Sequence, residues 1–216
     1  MTLLGFSIDS FARLFARPAP IRTLADMEDF IDQHAAFTVQ KCIVEYCRAR
    51  SGVLWSKLFK EAGFIAALDR ARWRAYGTGV GNVAEMVDTA LRRHAGPDLL
   101  APIAEAGRHV LQRYPVPDGE ADDFWARAID RFERRMAEVA LHAPRPVKDI
   151  PTPTAREIFE MIPIHPELRA HDFEVIKNNL RTNLCRSYET FIKRVDVDML
   201  VADLKAPRAP VKVPSV

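Results

Sequence analysis

The chain has 216 residues, 48% of them hydrophobic, which is enough to bury the core of one domain. Its 31 basic and 29 acidic side chains leave a net charge of only +2, so no global field draws in nucleic acid or anionic lipid. Three cysteines, Cys42, Cys47 and Cys185, are an odd and sparse set that argues for free thiols in a reducing compartment, the cytoplasm by default.

The opening "MTLLGFSIDSFARLFARPAP" lacks the cationic start and cleavage site of a secretory signal, and no run reaches the ~18 apolar residues of a membrane span. Arginine in excess of lysine, with abundant alanine, fits a high-GC bacterial genome. Period-two alternation is almost absent and apolar residues recur at helical spacing, so the expected class is all-α, a bundle of about seven or eight helices. Three regions follow from the proline pattern: an amphipathic helix in residues 1–18, a bundle over 19–205 and a disordered Pro-rich tail over 206–216.

In the first block Leu4, Ile8, Phe11 and Phe15 share a line, and the helix ends at "RPAP"; it either docks on the bundle or rests on a membrane or partner surface. Thr23 then opens a long helix to Arg50, closed by Ser51 and Gly52. A third helix over 53–76 stops at "GTGVG", and Asn82 with Glu85 has the form of an N-cap and its reciprocal acid, so a new helix begins there and ends at Gly96. Another runs to Tyr114 with Pro102 in its first turn. "FWARAIDRFERRMAEVALHA" places Trp125, Ile129, Phe132, Met136 and Val139 on one stripe. The linker "APRPVKDIPTP" leads to a short helix capped by Thr154 and Glu157, and a long helix from Asp172 to Arg194 and a final turn near Met199–Leu204 complete the bundle.

Chemistry-bearing motifs are few. Cys42 and Cys47 point about 140° apart on one helix, which rules out a shared metal or an intrahelical disulfide and leaves them as small hydrophobes. His34, Thr38, Lys41, Glu45 and Arg48 fall within about 80° of arc, a polar stripe on an otherwise apolar helix. It is either the one solvated edge of a packed helix or the wall of a pocket. "YGTGVGN" has glycines before a supposed helix start but lacks the rest of a phosphate-loop fingerprint and reads as a helix connection. "DRARWRAY" interleaves arginines with Trp73 and Tyr76, yet only Arg70 and Arg74 share a face, so a solvated helix with a buried tryptophan is preferred over a nucleic-acid surface. "PIHPELRAHD" sets His165 and His171 beside Glu167, Arg169 and Asp172 around a proline-fixed turn; it is a second site candidate or a rigid connection capped by Asp172.

No G-x-S-x-G, no C-x-x-C and no Glu-x-x-His occurs. The segments "QKCIVEYCRARSG", "KLFKEAGF" and "PIHPELRAHD" together resemble a family of uncharacterised helical proteins from alphaproteobacteria, some carrying an automatic esterase label, over most of residues 20–205. The resemblance implies an all-α fold and assigns no catalytic side chain. The expected function is binding of a partner protein or a small apolar ligand among the helices, through His34, Lys41, Glu45 and Arg48 or through His165 and His171, without metal or cofactor; the alternative is a small hydrolase using the same residues.

Overall fold

The computed structural model describes residues 19–207, so the predicted helix within residues 1–18 and most of the tail lie outside the described residues. Nine α-helices occur among the described residues: α1 (Leu24–Arg50), α2 (Trp55–Leu58), α3 (Ala62–Ala95), α4 (Leu100–Leu111), α5 (Phe124–Ala140), α6 (Ala155–Met161), α7 (Pro166–Arg169), α8 (Phe173–Arg194) and α9 (Val197–Lys205). Two of them, α2 and α7, are single turns of four residues each, and the all-α expectation holds. The sole extended pairing among the described residues is an isolated parallel bridge from Ile21 to Val195, which ties the entry of α1 to the exit of α8.

The main departure from the sequence reading is α3. It runs unbroken for 34 residues through "YGTGVGN", where the glycines were expected to end one helix and Asn82 to cap the next. Each glycine costs an isolated helix about 1 kcal/mol relative to alanine. Here the cost is offset by packing, because α3 is the central helix and every residue from Gly79 to Leu91 is buried. At Gly79 an added Cβ would lie 3.0 Å from Val39 Cγ1 and 3.1 Å from the Ala35 carbonyl oxygen, so the missing side chain is what lets α1 and α3 approach.

Two apolar clusters form at opposite ends of this α1–α3 pair. The larger joins Phe30, Val83, Val87, Leu91, Ile103, Val110, Phe132 and Phe191 from α1, α3, α4, α5 and α8. The smaller joins Val39, Cys42, Ile43, Cys47, Leu68, Ile158, Phe159 and Leu180 from α1, α3, α6 and α8. Trp73 and Tyr76 pack with Tyr114 and Trp125 in an aromatic group, and both tyrosine hydroxyls donate to the Asp32 carboxylate at 2.6–2.9 Å. "DRARWRAY" is therefore half core, as the packing reading expects.

Helix entry is conventional at α1, where Thr23 and Asp26 form a reciprocal capping box. The expected closures at Ser51 and Gly96 are present, but the other expected N-caps fail. Thr154 stands at the N-cap position of α6 without capping it, and Asp172 does the same at α8. Asp172 instead accepts a 2.7 Å hydrogen bond from the Tyr46 hydroxyl and pairs with Arg50 at 3.3 Å, which fastens the α7–α8 turn to the end of α1.

The Gly79 contact makes a sign prediction. On a free helix Gly79→Ala would stabilise by about 1 kcal/mol. In this packing it should destabilise by about 1–3 kcal/mol, measured by denaturant unfolding, because the Ala35 backbone cannot yield to the new methyl as a side chain could.

Candidate functional site

The polar stripe on α1 divides in two. Its first half is sealed against α8: His34 Nδ1 and the Ser187 hydroxyl share a 2.8 Å hydrogen bond, the imidazole stacks on Phe30 at 4.0 Å, and Thr38 is fully buried with no hydrogen-bond partner for its hydroxyl among the described residues. Asn183 continues this seam on α8, donating to Asn179 at 2.6 Å. Burial, with the Arg194 charge adding to it, lowers the His34 pKa to about 4, so the ring is neutral at pH 7. The second half is solvated. Lys41 and Glu45 are 3.9 Å apart with side chains 30% and 57% exposed, and Arg48 lies over the Trp55 ring at 4.3 Å. A shallow groove of about 460 Å³ runs from Lys41 and Glu45 to Asn178, Asn179, Asn183 and Arg186.

His165 and His171 do not line that groove; both are exposed on the far turn. The turn is held by Arg169, a buried guanidinium that donates to the carbonyls of Phe159 and Ile164 and to Glu160. The structure thus separates the two sets of candidates that an active site would have to combine. Cys42 and Cys47 are fully buried, and loss of hydration raises both thiols to about 12, as inert packing residues require.

The most developed polar site lies elsewhere, between α3, α5 and the start of α6. A cleft of about 320 Å³ has Gly77, Gly81, Ala128, Phe132 and Pro153 as its apolar surface, with Thr78, Thr154, Glu138 and Glu157 around them and Arg131, Arg134, Arg135 and Arg145 as its cations. At its base Arg135 donates through Nε (3.1 Å) and Nη2 (2.9 Å) to one Glu85 oxygen, and Nη2 also reaches Asn82 Oδ1 at 2.8 Å. Arg145 stands 3.5 Å from the other Glu85 oxygen, and the Thr154 hydroxyl donates to Asn82 at 3.4 Å. Burial pulls the Arg135 pKa down and the Glu85 charge opposes that pull. Gly81 is small because the guanidinium crosses it: an added Cβ would lie 2.9 Å from Arg135 Nη1.

Sequence reasoning missed this cleft through a specific misreading. Asn82–Glu85 and Thr154–Glu157 both match the capping-box pattern, yet three of the four feed the cleft network and the fourth, Glu157, faces Thr78 at 3.5 Å. A polar residue followed by an acid three positions on also describes two neighbours on a helix face. The signal that could have separated the readings is that no break in apolar periodicity accompanies Asn82.

No group of three or more His, Cys, Asp or Glu side chains among the described residues could hold a metal ion, and no described helix is long and apolar enough to cross a membrane. Compared with known proteins, the chain matches no family model, no curated sequence and no solved structure.

Two measurements check the polar interiors. Arg135→Met strands a buried carboxylate and should cost about 3 kcal/mol, the low end for a broken buried pair because Arg145 remains near Glu85; adding Glu85→Leu should recover much of the loss. For His34, the unfolded ring takes up a proton below about 6.5 and the folded one only near 4, so its contribution to stability is full above pH 6.5 and is lost as pH falls toward 4. The NMR titration of its ring should have its midpoint near 4, and a midpoint above 6 would mean that water reaches the seam.

Proposed function

We propose that this is a non-catalytic, cytoplasmic binding protein whose helical bundle takes a small ligand, an apolar body carrying one anionic group, in the α3–α5–α6 cleft. The observation that carries this reading is the cation set around the cleft. Arg135 is committed to Glu85 and Asn82, and Arg134 pairs with Asp130 at 2.8 Å, but Arg131 has no ion-pair partner among the described residues and Arg145 is only loosely held. Two under-neutralised guanidiniums beside Phe132, Ala128 and Pro153 offer a bidentate grip on a carboxylate or sulfonate, with an apolar face for the rest of the molecule. This reading differs from the partner protein or small apolar ligand expected from the sequence in giving the ligand an anionic group. The three free thiols are compatible with a reducing cytoplasm.

The anionic dye 1-anilinonaphthalene-8-sulfonate is a suitable probe. It should bind in a 1:1 complex, and Arg131→Gln with Arg145→Gln should weaken it by about tenfold or more, since even one hydrogen bond to a charged group contributes roughly 1.5–3 kcal/mol. Equal binding of the uncharged N-phenyl-1-naphthylamine, indifferent to the substitutions, would sink the reading.

The hydrolase alternative has one observation in its favour, the 2.8 Å contact of His34 with Ser187. A working pair of this kind needs a serine that substrate can reach and a third group that orients the base. Ser187 is 2% exposed, and no carboxylate is bonded to His34 among the described residues. A fluorophosphonate should therefore leave Ser187 unmodified by mass spectrometry; its phosphonylation would make hydrolysis the better account.

A further inference from the structure

The turn that joins α1 to α3 carries a second surface, independent of the cleft. At its tip Val53 is 93% exposed, Leu54 65% and Trp55 38%, three consecutive large apolar side chains directed at solvent. Ile65, at the start of α3, is also exposed. The tip has a rigid base, because Trp55 packs edge-on against Phe59 at 6.3 Å, Phe59 against Phe64 at 5.2 Å, and both phenylalanines rest on the smaller apolar cluster. Around it stand Arg48, Arg50, Lys57 and Lys60, and from residue 46 to residue 68 the sole carboxylate is Glu61. Arg50 is engaged by Asp172 and the Leu168 carbonyl, whereas Arg48, Lys57 and Lys60 have no acidic partner among the described residues.

We infer that this tip is a docking surface for an anionic lipid bilayer, with Val53, Leu54 and Trp55 entering the headgroup boundary and Arg48, Lys57 and Lys60 meeting lipid phosphates. Convexity favours lipid over a protein partner: a side chain 93% exposed at the apex of a turn has no concave complement on its own molecule, and a deformable phase accepts it without one. Charge complementarity selects the lipid, since each cation close to an anionic surface strengthens binding about fivefold, or roughly a hundredfold for three. A tryptophan at the rim, one edge apolar and one polar, suits the interface between headgroups and chains.

The test is vesicle co-sedimentation of the full chain. Partitioning onto phosphatidylcholine vesicles containing phosphatidylglycerol should exceed that onto phosphatidylcholine alone by about a hundredfold, and high salt should reduce it. The variant V53S/L54S, at the two most exposed side chains of the tip, should lower partitioning by about tenfold or more with unchanged melting. Should that variant fail to fold, Lys57→Glu with Lys60→Glu, both on the surface, should produce the same loss. Lipids brominated near the headgroup should quench Trp55 emission, and Trp55→Phe should remove the quenched component. Undiminished partitioning of both variants would overturn the proposal by placing lipid contact elsewhere in the chain. Failure of the full chain to partition onto anionic vesicles would overturn it in favour of a protein partner for the same patch.

Discussion

Burial of the second half of one long helix, α3, governs this molecule. From Gly79 to Leu91 every residue of α3 is buried, because α1, α4, α5, α6 and α8 all pack on it. A helix surrounded in this way is ordinarily apolar all round. This one is not: Asn82, Glu85, Asp88 and Thr89 lie on it at intervals that keep them along one side. Placing such a stripe indoors would be prohibitively costly unless cations follow it. They do. Arg135 comes from α5, Arg145 from the proline-rich connection, and Arg92, one turn further on, pairs with Asp88 at 2.6 Å while bonding the His142 and Val139 carbonyls. Burial raises the Asp88 pKa and Arg92 counters it, the same balance as at Arg135.

The cleft is a consequence of that arrangement. Three guanidiniums directed at one helix stripe cannot pack as tightly as leucines, since each needs space around a planar, hydrated group. The 142–154 connection, held by Ile150 in the core and by 3₁₀ turns at Val147–Asp149 and Thr152–Thr154, therefore covers the stripe without closing over it. The remaining space is lined by Arg135 and Arg145, which Glu85 holds, by Arg131 and Arg134 beside them, and by Gly81, whose smallness admits the Arg135 guanidinium. In Arg145 structural cause and binding capacity reside in the same side chain.

How much of this is legible in the sequence depends on which neighbours a residue meets. Helix class, the α1 boundaries and the inert placement of Cys42 and Cys47 follow from periodicity and angular spacing, which are properties of one helix alone. The continuity of α3 does not. Gly77, Gly79 and Gly81 favour a break by local propensity, and only neighbours from other helices, Ala35 and Val39 at Gly79 and Arg135 at Gly81, make smallness an advantage. The α1 stripe shows the same limit. Angular position groups His34 with Glu45, but whether a position is sealed or solvated depends on how closely α8 covers it, which is a property of two helices together.

The two polar interiors then differ in kind. Along the α1–α8 seam every group is uncharged or, like His34, is driven to its neutral form by burial, and His34, Ser187, Asn179 and Asn183 spend hydrogen bonds on one another. A neutral seam can be dry, and its hydrogen bonds specify the register of two helices that apolar contacts alone would allow to slide. The α3–α5 site retains formal charges, which need either complete pairing or access to solvent. Arg131 and Arg145 have the second, and that access is what a ligand would use. The seam is accordingly where the fold is specified, and the cleft is where the fold leaves polar capacity unspent.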